Sequence, residues 1–421
     1  MTRPGGVAGL ARKLRAEGAR EGAKRVVRRA YRALDAGSLD FPLLDVDIAD
    51  STRLLLAEPL PVDVGRPLRV GWVTTPPGPG SGGHTTMFRM IAALERHGHT
   101  CVVLLYDRHH GSLRTHEHVI RSCWPDVRAE VAWVDDGIGA TDACVATSWA
   151  TAHVLALRSE QLRIHRLYLV QDYEPYFYAR GSEYELAADT YRFGFTNVAL
   201  GRMVQERLTE EIGVSSELLP FSCDTTVYRR VDGGPRSGIV FYAKPDVPRR
   251  GYRLGILALA EFHRRHPDQE IRVYGDPLPE LQIPVTRLSR LAPSELNEIY
   301  NRSVAGLALS FTNISLVAEE MLAAGCVPIV NDAGGARADL DNPHVAWAPA
   351  TPGGLADALC EAVEAPDAVA RSEAAAQSVR TDDWRVPGDL LEEIIRTGAG
   401  IARVAVKEAV PRAHAVGRPR D

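Results

Sequence analysis

Lys244 and Arg250 stand at the two ends of a turn, Lys-Pro-Asp-Val-Pro-Arg-Arg, that follows a short apolar run and precedes a helix-like stretch. Two cations one loop apart can clamp a diphosphate from two sides and neutralise a leaving group as its charge grows. Further along, Ser310-Phe311-Thr312-Asn313-Ile314-Ser315 ends another apolar run in hydroxyls and an amide, and a helical stretch follows that closes at Gly325. Backbone amides near Ser315, Leu316 and Val317 would face whatever lies above the sheet's carboxyl edge, where open α/β sheets bind ligands. Glu320 lies one turn into that helix, and a carboxylate there can accept from two vicinal hydroxyls, as proteins often hold a ribose. Its neighbour Glu319 is expected to stabilise the helix N-terminus.

In the first half, Gly78-Pro79-Gly80-Ser81-Gly82-Gly83-His84 places glycines at the spacing G-x-G-x-x-G, and Asp107 ends the next strand-like run. That combination is the dinucleotide fingerprint, so an NAD-dependent oxidoreductase using the Gly78–Gly83 loop is one reading. The fingerprint needs a tight turn directly after its strand. Here Thr74-Thr75-Pro76-Pro77 intervene, and the prolines stiffen an extended lead-in. A simpler reading survives. Gly82-Gly83 lets backbone approach a ligand at a helix N-terminus, where free N–H groups favour an anion or sugar hydroxyls.

These residues need a frame that brings loop ends together. Strands are expected at Leu68–Val73, Cys101–Tyr106, Glu130–Val134, Ala143–Thr147, Leu167–Gln171 and Asn197–Leu200, with a helix over Thr85–Arg96. After the linker Val231–Gly238 the alternation restarts with strands at Ile239–Ala243, Glu270–Tyr274, Ala305–Ser310 and Val327–Val330. Helices are expected between them at Gly251–Arg265, Ser294–Asn301 and Leu316–Ala324. Such βαβ alternation implies parallel sheets covered by helices on both faces. The expected class is α/β with two Rossmann-like domains, residues 66–230 and 236–375. Residues 1–65 form a basic helical arm in this scheme, and 376–421 a helix with a basic tail.

The 421 residues, 45% apolar and 24% charged, suit an ordinary two-domain globular chain, and a net charge of -5 argues against a general nucleic-acid binder. Residues 1–35 nevertheless carry a net +7, leaving -12 for the remainder. Val27, Tyr31 and Leu34 lie at helical spacing among Arg25, Arg28, Arg29 and Arg32. Such a segment can lie on an anionic membrane surface, or dock as a solvated helix. The six cysteines are scattered with no metal-ligand spacing or disulfide framework, and no apolar run approaches about 18 residues. A cytosolic protein is expected.

Together the motifs resemble the retaining glycosyltransferases of family 4. Lys244 to Gly251 resembles the family's basic R-x5-K-G loop, Thr312-x7-Glu320 its E-x7-E motif, Gly82-Gly83 its glycine pair, and His97-Gly98-His99 its G-H turn. Tyr168–Tyr178, Phe241–Arg250 and Ser310–Gly325 are similar to rhamnosyltransferases of the WsaF type, and the resemblance covers roughly residues 66–375. It implies the GT-B architecture, two Rossmann-like domains facing a central cleft. It also implies no obligatory metal and no cofactor, the nucleotide sugar being a substrate.

On this resemblance Lys244 and Arg250 take the diphosphate, the Ser315 and Leu316 amides the distal phosphate, and Glu320 the nucleotide's sugar hydroxyl. Thr312 and Asn313 stand beside the donor. Gly82, Gly83 and His84 face the transferred sugar or acceptor, and Asp172 and Glu174, with Gln171 and Tyr176, orient the acceptor. The chain departs from the pattern where Lys244 replaces an arginine and keeps its charge, where Thr312 replaces the first acid, and where Gln171-Asp172 stand near the place of a histidine often found after a central strand of the first domain. A donor sugar lacking a 6-hydroxyl, L-rhamnose on dTDP, is compatible with the loss of the first acid. The implied acceptor is a growing surface polysaccharide, often lipid-linked, at the inner membrane face. Two further alternatives are a non-catalytic sugar-nucleotide-binding protein and a sugar-nucleotide epimerase, for which no acid/base set stands out. Nine of the 22 Phe and Tyr fall between Tyr168 and Phe195, able to stack on sugar rings or to fill a core.

Overall fold

The computed structural model describes residues 22–31, 40–63, 65–231, 234–288, 291–314, 316–332, 335–379 and 384–401. The chain divides into two compact units, 1–48 and 49–421. In the first, residues 22–31 form a helix, α1, on which Val26, Val27 and Tyr31 are exposed. The expectations for residues 1–21, for 32–39 and for the basic tail beyond residue 401 lie outside the described residues.

The second unit is built on two parallel sheets. The first comprises β1 (Arg69–Thr74), β2 (Thr100–Leu105), β3 (Glu130–Trp133), β4 (Ala143–Ala146), β5 (His165–Val170), β6 (Thr196–Leu200) and β7 (Glu217–Leu219). Its order is β3-β2-β1-β4-β5-β6-β7. Strands β4 and β5 are buried along their whole length, as apolar runs in a sheet covered on both faces must be. Helices α2 (Gly82–Arg96), α3 (Leu113–Cys123), α4 (Trp149–Ser159), α5 (Ser182–Thr190) and α6 (Arg202–Arg207) make the connections. Helix α2 starts three residues before the expected Thr85 because Ser81 caps it, its hydroxyl accepting from the His84 amide.

The second sheet comprises β8 (Ile239–Ala243), β9 (Ile271–Gly275), β10 (Thr286–Arg287), β11 (Ala305–Leu307), β12 (Val327–Asn331) and β13 (Ala346–Ala348). Its order is β10-β9-β8-β11-β12-β13. Helices α7 (Tyr252–Arg265), α8 (Pro293–Arg302), α9 (Leu316–Ala323), α10 (Pro352–Glu364) and α11 (Ala368–Gln377) cover it. In each sheet the strands stay parallel but their order of addition turns back at one point, between β1 and β4 and between β8 and β11. These are the switch points where open α/β sheets form ligand crevices at their carboxyl edges.

Two boundaries differ from the sequence reading. Residues 49–65 belong to the body, not to an arm: the Ala57 amide donates to Glu160 O at 2.8 Å and the Leu60 amide to Arg163 O at 3.0 Å. The last helix, α12 (Arg385–Arg396), returns to the first sheet. Trp384, Leu391 and Ile395 share one buried cluster with Trp72, Phe88 and Val103. A Cβ on Gly388 would lie 2.4 Å from the Ala93 Cβ, so only glycine lets α12 approach α2 this closely. The His97-Gly98-His99 turn anchors the same helix. His97 Nε2 lies 2.7 Å from Asp389, and His99 Nε2 lies 3.2 Å from Glu392 while its Nδ1 accepts from the Leu68 amide.

Candidate active site

A cavity of about 520 Å³ lies between the carboxyl edges of the two sheets. From the first sheet it is lined by Gly82 and Gly83 after β1, Thr147 and Ser148 after β4, and Gln171 and Asp172 after β5. From the second come Lys244 after β8, Gly275 and Asp276 after β9, and Asn313, Leu316 and Glu320 after β11. Loops far apart in sequence therefore meet because both sheets present their switch points to one space. Its volume falls in the range of roughly 300–1,000 Å³ common for small-ligand sites.

Three cations gather at this cavity. Lys244 Nζ pairs with Asp276 Oδ1 at 2.9 Å. Gly275, at φ +123°, makes that pairing possible, because a Cβ there would lie 2.3 Å from Ala243 O. Arg250 donates to Ser310 Oγ at 3.0 Å, and burial, with Arg249 beside it, pulls its guanidinium below the ordinary value. Arg249 sits 4.0 Å over the Phe177 ring, with its Nε 3.6 Å from Asp172 Oδ2. A guanidinium held by an aromatic face and a carboxylate is fixed in place before any ligand arrives.

Hydrogen bonds join the two domains beside the cavity. Thr312 Oγ1 donates to Asp172 Oδ2 at 2.8 Å, and Asn313 Nδ2 donates to Gln171 O at 2.8 Å. Gln171 Nε2 in turn donates to Gly83 O at 3.1 Å, tying the glycine pair to the same junction. Burial raises the Asp172 carboxyl above the usual range, while Arg250, Arg249, the Thr312 hydroxyl and the Tyr173 amide pull it back. Glu320, also on the wall, faces Arg89 and the Tyr228 hydroxyl, and burial pushes its carboxyl up to about 7. Arg89 also lies 3.6 Å from Asp224 and 4.8 Å over the Trp384 ring.

Several residues chosen from sequence sit elsewhere than expected. His84 is absent from the cavity wall; its ring spans Ser81 Oγ (2.8 Å) and Thr75 O (3.2 Å) and braces the loop beneath the glycines. Tyr176 also lies off the wall, its hydroxyl donating to Glu211. Glu174 reaches the cavity, yet both carboxylate oxygens are spent inside the protein. They accept from the Trp149 amide at 2.8 Å and the Tyr168 hydroxyl at 2.9 Å, so it serves the start of α4 and not an acceptor. Glu319 turns from Glu320 into a separate cavity with Asp339, where burial lifts it to about 7; it is no mere helix-end acid. Ser315 lies outside the described residues.

Sequence reasoning passed over Arg249, Phe177, Arg89, Asp224 and Tyr228, all on the cavity wall. Arg249 was visible as the twin of Arg250. Arg89 carried a weaker signal, two helical turns beyond Gly82 on the helix that the glycine pair opens. Asp107, the acid an NAD site would use, accepts from the His109 amide (2.9 Å) and the Gly111 amide (2.8 Å) and is absent from the cavity wall. Among the described residues no group of three or more His, Cys, Asp and Glu is arranged to hold a metal ion, and no helix is long and apolar enough to cross a membrane.

Two parallel-sheet domains facing each other across such a cavity define the GT-B architecture, the fold class of this chain. Residues 132–202 match the family description of the WsaF N-terminal domain and residues 237–360 that of the WsaF C-terminal domain. The chain is WsaF-like in both halves. It is 30% identical over 299 residues to the O-antigen biosynthesis protein RfbC of Myxococcus xanthus, a match over 66% of this chain and 22% of RfbC. The chain thus spans about a fifth of that relative. Among solved structures, Anabaena HepE in complex with UDP and glucose superposes with a TM-score of 0.61 at 15% identity, over 78% of this chain and 100% of HepE. WaaG, a glycosyltransferase involved in lipopolysaccharide biosynthesis, gives 0.58 at 14% identity, over 77% of this chain and 99% of WaaG. At such identities the two structures speak for the fold alone.

Proposed function

We propose that this protein is a retaining glycosyltransferase of cell-surface polysaccharide assembly, taking L-rhamnose from dTDP-L-rhamnose. The observation that carries the reading is that Lys244, Arg249 and Arg250 line a single cavity together with Glu320. In the reaction the C1–oxygen bond to the diphosphate breaks and the acceptor hydroxyl oxygen bonds to C1. The acceptor's proton passes to the leaving phosphate. Negative charge grows on that phosphate as the bond breaks, and fixed cations there lower the barrier without reorganising. Glu320 accepts from the 3′-hydroxyl of the nucleotide's deoxyribose, and the first-turn amides of α9 face the distal phosphate. The O-antigen role in the name of RfbC supports surface-polysaccharide assembly, and HepE, whose fold this chain shares, holds UDP and glucose.

The rhamnose reading rests on Thr312, a neutral side chain whose hydroxyl is committed to Asp172. A lipid-linked acceptor and peripheral contact with anionic lipid are supported by α1. There Val26 is 55% and Val27 67% exposed, beside Lys24, Arg25, Arg28 and Arg29.

The test is release of nucleoside diphosphate from dTDP-L-rhamnose, dTDP-glucose, UDP-glucose and GDP-mannose at equal concentration, with and without lipid-extracted glycan. Preferential turnover of dTDP-L-rhamnose is expected. Equal turnover of dTDP-glucose refutes the rhamnose assignment, and binding without turnover of any donor refutes the transferase. Deleting residues 1–35 should weaken co-sedimentation with anionic vesicles while leaving dTDP affinity unchanged.

A further inference from the structure

The cavity wall carries five carboxylates, and their partners differ. Asp276 is paired with Lys244, Asp224 faces Arg89, Glu320 meets Tyr228, and Glu174 is saturated within its own domain. Asp172 is unlike the rest. It is 6% exposed, one oxygen is held by Thr312, and the other, Oδ1, has no hydrogen-bond partner. Across the domain junction Asn313, 8% exposed, repeats the pattern. Its Nδ2 donates to Gln171 O, and its Oδ1 has no partner.

Buried acceptors left unpaired are rare in folded proteins, because each has lost its water and gained nothing in return. Two of them, one from each domain, line a cavity beside three cations. Both are acceptors, so a group that satisfies both must bring donors. The cations beside them select a negatively charged neighbour for that group. A hydroxyl-bearing ring attached to a diphosphate has this combination.

We infer that Asp172 Oδ1 and Asn313 Oδ1 form a hydroxyl-reading pair for the transferred sugar, one acceptor from each domain. The inference rests on the nucleotide-sugar reading of the cavity and refines it: Asp172 addresses the donor's sugar and not the acceptor. Thr312 and Arg249 are then positioning residues that hold the Asp172 carboxylate by its other oxygen. Because the pair spans the junction, it is complete only when the domains stand close together. Sugar recognition and domain closure become one event.

Calorimetric titration of the full chain with dTDP, UDP, dTDP-L-rhamnose and UDP-glucose tests this, using wild type, Asp172→Asn and Asn313→Ala. For the sugar nucleotide that wild type prefers, each variant should bind about tenfold more weakly, while affinity for the parent diphosphate stays within about twofold. A deoxy analogue of the preferred sugar, lacking the hydroxyl that Asp172 reads, should cost wild type the same factor and cost Asp172→Asn almost nothing. A purely structural role cannot produce that coupling. If neither variant separates the sugar nucleotide from the diphosphate, the pair is overturned while the site stands. Equal loss of diphosphate affinity overturns it too, since Asp172 would then act through Arg249 on the phosphates. Should wild type bind none of the four, the reading of the cavity itself falls.

Discussion

Replacing Glu320 by Gln should strengthen the empty protein and weaken the liganded one. Burial lifts the Glu320 carboxyl from an ordinary 4.5 to about 7, with Glu319 adding to the rise and Arg89 opposing it. The folded state therefore keeps a proton that the unfolded chain gives up between about pH 4.5 and 7. Stability falls with rising pH over that window, because the folded state binds more protons there. Above pH 7 the charged carboxylate sits where it is poorly solvated. The full shift corresponds to about 3 kcal/mol, and part exposure of the side chain reduces this to about 2 kcal/mol. A neutral amide carries no such penalty. Urea unfolding followed by tryptophan fluorescence should find Glu320→Gln equal to wild type near pH 4.5 and more stable by about 2 kcal/mol at pH 8. In the same variant dTDP affinity should drop at least tenfold, since a charged acceptor for the deoxyribose 3′-hydroxyl is gone. Equal stabilities at both pH values, or a variant less stable at pH 8, would refute the assignment of a strained, functional carboxylate.

Other perturbations separate the groups around it. Lys244→Met and Arg250→Met should each lower diphosphate affinity by roughly ten- to a hundredfold, measured calorimetrically, through loss of a charge-assisted contact. His84→Ala should leave donor affinity within about twofold, because the ring braces Thr75 and Ser81 beneath the loop; a large loss would place His84 in the cavity after all. Gly388→Val should destabilise by about 2 kcal/mol or more in urea unfolding, since its Cβ would collide with Ala93 where α12 crosses α2.

The sheets were readable in advance because their strands are continuous apolar runs bounded by glycine and proline. Ile239–Ala243 occupies the residues its pattern predicted, and most other strands shift by a residue or two. What escaped were short elements: β7, β10 and β13 have two or three residues each, too few for a periodicity to register. Helix α12 was expected, but its destination was not. A helix's apolar face says that it packs, and nothing in the face says on which domain. The partner is fixed by Gly388 meeting Ala93 and by the histidine turn meeting Asp389 and Glu392, contacts between residues about three hundred positions apart.

Residue type and spacing located the loops of the site better than the side chains within them. Glu174 and Asp172 stand two residues apart with similar local sequence, yet one is consumed by Trp149 and Tyr168 and the other keeps a buried oxygen unpaired. The difference lies in backbone direction after β5, which turns Asp172 to the junction and Glu174 toward the aromatic cluster where Tyr168 and Tyr191 stack. Thr312 makes the same point more sharply. Scanned along the second domain alone, a threonine where the resembling family carries an acid reads as a deletion from the site. The fold places Asp172 of the first domain 2.8 Å from that hydroxyl. The carboxylate is still at the junction, contributed from the opposite side, and a motif searched one domain at a time has no means of finding it.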